Sequence, residues 1–349
     1  MQNPQVSAAN NALHLPVLLR TCVELLSPAI SSPESLLIDC TLGMGGHTEA
    51  ILKSNPNVQV IGIDRDGEAI RLAASRLAKF GDRFRAVQTT YDHVDEVAAE
   101  FGANRKVNAI LMDLGVSSLQ LDTAGRGFSY AHDAPLDMRM DASKGISAKE
   151  LLAAAGRDEL ARILRVYGEE KFAGKIANKI VAARAVKPLE TTAELVALIR
   201  ESLPEKAKRT GGNPAKRTFQ ALRIAVNNEL EILETALPRA IESLSIGGRL
   251  VVESYQSLED RIVKEAMSQG LKSTTPPGLP VELADHKPYL KALVRGSIKA
   301  DTAELAQNSR SQSVRLRAVE RIRQTPAHVL KNLEPLIESN FRFHKGETR

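Results

Sequence analysis

Residues 39–47, DCTLGMGGH, place three glycines between two ionisable side chains. Gly43, Gly45 and Gly46 leave the backbone bare enough to approach a ligand or to make a tight turn. Asp39 before them and His47 after them bring groups that carry charge or move a proton. Three more side chains recur where later strands should end: Asp64 in IGIDRD, Tyr91 after FRAVQTT, and Asp113 in AILMDLG. A strand, a glycine loop and a helix, followed by an acid ending the next strand, have two common uses. One is dinucleotide binding, with the pyrophosphate on the helix N-terminus. The other is binding of S-adenosylmethionine, which has no phosphate. In either case the acid ending the second strand accepts hydrogen bonds from ribose hydroxyls.

Three features favour the methionine cofactor. The loop is G-x-G-G-H rather than the full G-x-G-x-x-G of dinucleotide sites. Asp39 suits a cationic amino group better than a pyrophosphate. Asp113 adds another carboxylate to a crevice that attracts a sulfonium and repels phosphate. Tyr91 can pack on an adenine. Blander readings stand beside these. Gly43 and Gly45 fit a tight turn alone, His47 fits the first turn of a helix without ligand contact, and Asp39 fits a cap on the loop's own amides.

The elements that must position these residues follow from the pattern. SLLIDCTL (35–42), VQVIGID (58–64), FRAVQTT (84–90) and AILMDLG (109–115) read as strands. A helix through about Lys53 follows the glycine loop, and EAIRLAASRLAKF (68–80) carries apolar residues at helical spacing. Alternating strands and helices imply a parallel sheet covered on both faces. The rhythm then breaks in a Gly-, Asp- and Ser-rich stretch (116–146). Only helical patterns follow until GGRLVVESY (247–255), so a helical insertion separates strands four and five. LEDRIVKEAMSQ (258–269) is the next helix. KPYLKALVRGSI (287–298) and SVRLRAVER (313–321) can close the sheet as an antiparallel edge. The division expected is a flexible start (1–12), an α/β sheet unit (13–125 and 239–321), an inserted unit (126–238) and a tail (322–349).

The chain has 349 residues, 43% hydrophobic and 26% charged, the composition of a water-soluble globular protein. No apolar run approaches the ~18 residues that a membrane span needs. The first ten residues carry neither a basic start nor an apolar stretch, so no secretory signal is expected. Two cysteines, Cys22 and Cys40, make neither a disulfide framework nor a thiolate metal site and fit a reducing cytoplasm. Net charge is +5, and residues 206–223 hold six Lys/Arg and no acid. That run is a solvated face or a contact for a nucleic-acid backbone. Absent Trp and few aromatics disfavour binding through many stacked bases.

At DLGVSSLQLDTAGRGFSYAHDAPLDMRMD (113–141) the sequence resembles the ribosomal RNA small subunit methyltransferase H family, the bacterial 16S rRNA cytosine-N4 methyltransferases. HLPVLL (14–19), GGHT (45–48), IDRD (63–66), YGEEKFA (167–173), PAKRTFQALRIAVNNEL (214–230) and SLEDRIVK (257–264) match in the same order. The resemblance implies a class I S-adenosylmethionine-dependent methyltransferase fold, Rossmann-like, with a helical insertion. It implies cofactor contacts from Gly45, Gly46, His47, Asp64, Tyr91, Asp113 and Gln120. It also implies a substrate, the N4 amine of one cytidine in the decoding region of 16S rRNA within the small subunit. No metal and no membrane enter this expectation, and a homodimer is compatible with it. Gln256 stands where the family commonly has His, Met44 replaces a commonly basic loop residue, and the tail after Arg321 has no clear counterpart.

Cytosine N4 is a weak nucleophile, so placement and a hydrogen-bond acceptor must do the catalysis. DNA amino-methyltransferases carry an Asp/Asn/Ser-Pro-Pro-aromatic tetrapeptide after strand four, whereas this chain has DLGV. The acceptor is then expected from Asp113 or Asp137, aided by Ser117 or Ser118. The blander place for Asp137 is a salt bridge to Arg139 or a helix cap. Phe128 or Tyr130 is a candidate to stack on an unstacked target base, or equally a core residue. Competing classes are an amino-methyltransferase of DNA or another RNA, a dehydrogenase, and a non-catalytic ribosome-assembly factor.

Overall fold

The structure is a computed structural model and describes residues 15–205, 213–276, 278 and 281–338. The expected flexible start, His14 of the family string, the first part of the basic run (206–212) and the end of the tail (339–349) lie outside the described residues.

Among the described residues seven strands make one sheet: β1 (Leu36–Asp39), β2 (Gln59–Asp64), β3 (Phe84–Gln88), β4 (Val107–Asp113), β5 (Leu244–Ser254), β6 (Leu290–Ala292) and β7 (Arg315–Arg321). Their order is β3-β2-β1-β4-β5-β7-β6. The first five are parallel, and β7 runs antiparallel to both β5 and β6. This is the parallel sheet with an antiparallel edge that the sequence pattern predicts, and it agrees with the class I methyltransferase fold that the resemblance implies. The expected strand over 287–298 is shorter, because regular pairing stops at Ala292 and resumes only as a single bridge from Ile298 to Leu316.

Side chains alternate between two cores, as parallel strands buried on both faces require. Ile38, Ile110 and Met112 pack on one face, and Leu37, Ala109 and Leu111 on the other. Helices α1 (Leu19–Leu26), α2 (Gly46–Ser54), α3 (Gly67–Leu77) and α4 (Val94–Phe101) cover these faces, and α5 (Ser118–Asp122) follows β4. Asp66 starts α3 by accepting the Glu68 N–H at 3.1 Å.

Between β4 and β5 the chain also forms α6 (Ala148–Ala154), α7 (Arg157–Gly168), α8 (Ala173–Val186), α9 (Thr192–Ser202), α10 (Lys216–Asn227) and α11 (Glu229–Ser243). Capping boxes Ser147/Glu150 and Thr191/Glu194 fix the starts of α6 and α9. Apolar residues from Leu136 to Leu222 close a separate core within this insertion. Helix α11 instead buries Leu233, Leu237 and Ile241 in the core of the sheet. Residue 238, the division drawn from sequence, thus lies inside α11. After β5 come α12 (Ser257–Leu271), α13 (Thr302–Gln307) and α14 (Ala327–Glu338). Among the described residues no helix is long and apolar enough to cross a membrane.

Candidate active site

A cavity of about 1120 Å³ opens at the carboxyl ends of β1, β2 and β4. Gly43, Met44, Gly46, His47, Asp64, Tyr91, Asp113 and Gln120 line it, as do Ser117 and Ser118. Open α/β sheets collect their ligands at this end.

The three glycines serve different ends. Gly43 has φ +50°, and its N–H donates to Asp64 Oδ2 at 2.8 Å. Gly45 has φ +76°, and a Cβ there would sit 2.8 Å from Leu77 Cδ1. A Cβ on Gly46 would meet Pro16 Cγ at 2.5 Å. Gly45 does not line the cavity; its missing side chain lets α2 pack against α3.

Asp64 accepts the Gly43 N–H and, through Oδ1, the Asp66 N–H at 2.8 Å. Burial still pushes its carboxyl up to about 6, against those two hydrogen bonds. Asp39 takes the blander place. Only 1% exposed, it accepts the Thr48 hydroxyl at 2.6 Å and the Thr41 N–H at 3.2 Å, and it does not line the cavity. Burial raises its pKa as well.

Asp113 ends β4 beside Glu253 of β5, its register partner. The Tyr255 hydroxyl donates to Asp113 Oδ1 at 2.7 Å, and the Asp113 N–H donates to the Thr41 hydroxyl at 2.6 Å. His47 sits in the first turn of α2 between two acids. Its Nδ1 lies 3.7 Å from Asp113 Oδ2, and its Nε2 lies 3.7 Å from Glu253 Oε2 and 3.1 Å from the Val17 carbonyl. Glu253 is wholly buried, and among the described residues the donors nearest its oxygens are the Cys22 thiol and His47. Burial, then the nearby Asp113, pushes its pKa well above the carboxylate range.

Tyr91 lines the cavity just after β3, and burial raises the pKa of its phenol. Gln120 is 4% exposed. Its amide caps α5 through the Ser117 N–H at 3.0 Å and donates to Asp66 at 3.3 Å, where Arg126 also binds at 2.9 Å.

Asp137 lies outside the cavity lining. Arg139 holds both its oxygens, each at 2.8 Å. Burial works to raise this carboxyl, but the bonds from Arg139 outweigh it and hold the pKa below the ordinary value. Phe128 is buried, and Tyr130 packs edge-on against Phe219 at 5.8 Å within the core of the insertion. Ser118 accepts a hydrogen bond from Arg310, which also grips Asp122 at 2.8 and 3.0 Å.

Sequence reasoning passed over Glu253, Tyr255 and Arg310. An acid inside GRLVVES was a signal, since a buried strand has no solvent for a charge. Arg310 gave none. The tertiary fold brings the α13 segment over the cavity, where Asn308 also bonds the Leu15 carbonyl at 3.0 Å.

Comparisons with known proteins agree with this geometry. Residues 11–322 match the model of the MraW methylase family. The chain is 57% identical to a protein of Beutenbergia cavernae called ribosomal RNA small subunit methyltransferase H, over 93% of this chain and 97% of that protein. Proteins of the same name from Renibacterium salmoninarum (55% identical, 89% of this chain, 95% of the relative) and Streptomyces avermitilis (52%, 89%, 98%) are also similar. With the sheet order, the cavity and a match over nearly its whole described length, this chain belongs to the MraW methylase family.

Proposed function

We propose that this chain transfers a methyl group from S-adenosylmethionine to the N4 amine of a cytidine in the decoding region of 16S rRNA, in the small ribosomal subunit. The observation that carries this reading is the convergence of Gly43, Asp64, Tyr91 and Asp113 on one cavity at the strand ends. The name shared by the full-length relatives supports the ribosomal substrate.

The residues fit the cofactor. Asp64 keeps lone pairs for ribose hydroxyls after accepting two N–H groups. Tyr91 offers a ring to the adenine. The Gly46–His47 turn and Asp113 suit the methionine end, where a carboxylate attracts positive charge. S-adenosylmethionine supplies an electrophilic methyl group on sulfur.

The protein's own task is to hold the cytosine amine in line and to relieve it of a proton. Asp113 keeps Oδ2 as an acceptor while Tyr255 fixes Oδ1. It takes a hydrogen bond from N4–H, and the proton passes to it as N4 becomes acidic during transfer. Placement contributes up to ~7–11 kcal/mol in the best intramolecular cases. Asp137 serves this reading by fixing Arg139, not by touching the base. Lys216 at the cavity edge and Arg217 beside it contact the RNA backbone. Cys22 and Cys40 are buried free thiols, which suits a cytoplasmic setting.

The test is methyl transfer from labelled cofactor to purified unmethylated small subunits, with the modified nucleoside identified by mass spectrometry. N4-methylcytidine at one site is expected. Transfer to naked DNA but not to subunits would sink the reading. Asp113→Asn should lower kcat by ~10²-fold or more with folding intact. Asp137→Ala should keep kcat within a few-fold; a loss as large as that of Asp113→Asn would return Asp137 to the chemistry.

A further inference from the structure

We propose that Gln256 reads the Watson–Crick edge of the target base, accepting from its exocyclic amine and donating to its ring nitrogen. The inference rests on the cytidine reading above and names the residue that would distinguish cytosine from uracil.

Gln256 follows β5 at the start of α12, half-buried, and lines the cavity that Asp113 also lines. Its Oε1 accepts from Gln220 Nε2 at 2.8 Å, and its Nε2 donates to Glu259 Oε1 at 3.0 Å. Both neighbours are themselves committed. Gln220 Nε2 also donates to the Tyr167 carbonyl at 3.0 Å, so its NH2 face, not its oxygen, meets Gln256. Glu259 accepts the N–H groups of Tyr255 and Gln256 at 2.9 and 3.2 Å; burial raises its pKa, and the charge of Arg223 works against that rise. Turning the Gln256 amide over would set NH2 against NH2 and oxygen against the Glu259 carboxylate.

A free glutamine amide is ambivalent, because exchanging its oxygen and nitrogen lets it pair with either pyrimidine. Gln256 is pinned. After its two internal bonds it keeps one lone pair on Oε1 and one hydrogen on Nε2. Cytosine presents an amine donor at N4 and an acceptor at N3; uracil presents the reverse. An amide held in one sense pairs fully with only one of them. The accepting oxygen would also hold the N4 amine in place for attack. Tyr255, the preceding residue, bonds Asp113, so the same turn of chain would position both the base reader and the proton acceptor.

The test uses small ribosomal subunits assembled with cytidine or uridine at the position that the wild-type enzyme methylates. Binding is measured with S-adenosylhomocysteine present, so that no methyl is transferred. Wild type should prefer cytidine by about tenfold or more. Gln256→Met, similar in shape and without the amide, should bring that ratio near unity while cofactor affinity and Tm hold. Glu259→Gln frees the amide to turn. It should lower the ratio while affinity for cytidine subunits changes little, an outcome that loss of packing would not give. A full ratio in Gln256→Met overturns the inference. If that variant does not fold, a full ratio in Glu259→Gln overturns it. Wild-type methyl transfer without discrimination overturns it alone, whereas no transfer by wild type removes the substrate reading and the inference together.

Discussion

Asp64 carries the first prediction at the residue scale. Burial raises its carboxyl to about 6, whereas an unfolded carboxyl titrates near ~4. Between those values the folded protein holds the extra proton. Its contribution to stability is therefore full below about pH 4 and is lost as pH rises through about 6. Cofactor binding has the opposite sign, since ribose hydroxyls need the ionised acceptor. Affinity measured by calorimetry should fall by up to about tenfold per pH unit below 6. Asp64→Asn should bind more weakly and without that pH dependence; an unchanged slope would exclude Asp64 as the ribose acceptor. Glu253 allows a second test. Burial and the nearby Asp113 favour its neutral form, and among the described residues only the Cys22 thiol and His47 lie near its oxygens as donors. Glu253→Gln, neutral and of the same shape, should stay within about 1–2 kcal/mol of wild type at pH 7 by urea unfolding. A loss above about 4 kcal/mol would mean that the charged form is needed.

At the scale of elements, the glycine loop is a packing device as much as a ligand loop. Gly45 combines a left-handed backbone with contact against Leu77 of α3. Gly45→Ala should cost about 2–4 kcal/mol, from the backbone strain and the forced shift of Leu77. Urea unfolding measures this. A cost below about 1 kcal/mol would mean that the loop relaxes freely and that Gly45 has another purpose. The helices beyond β4 divide in the same physical way. Those from α6 to α10 close on their own core, while α11 gives its apolar stripe to the sheet. Periodicity alone could not separate them, since both kinds of helix show the same spacing.

For the whole molecule, the question is how a +5 chain meets RNA. Lys216 and Arg217 are exposed at the start of α10, and Lys216 lines the cavity. Replacing both with Ala should weaken binding to small subunits. The slope of log affinity against log salt should become shallower by up to about 0.9 for each phosphate that is no longer neutralised. A slope equal to that of wild type would remove these residues from the RNA interface. The N-terminal residues and α13 sit on the same opening. They are tied to it by the Glu304 bond to the Leu18 N–H, by Asn308 and by Arg310.

The sequence by itself determined the alternating strands, the glycine loop, the acids at successive strand ends and the helical insertion. These are local properties, set by the period of apolar residues and by the few residue types that fit a turn. The long family strings carried the rest of the expectation. Tertiary structure decided which acids reach the cavity. Asp64 and Asp113 line it, while Asp39 turns to Thr48 and Asp137 is held by Arg139. It also made Phe128 and Tyr130 part of a packed interior. It brought Glu253, Tyr255 and Arg310 to the site from far along the chain. A carboxylate's role depends on which donor reaches it first and on how much water remains. Both are set by side chains distant in sequence, so no local pattern can encode them.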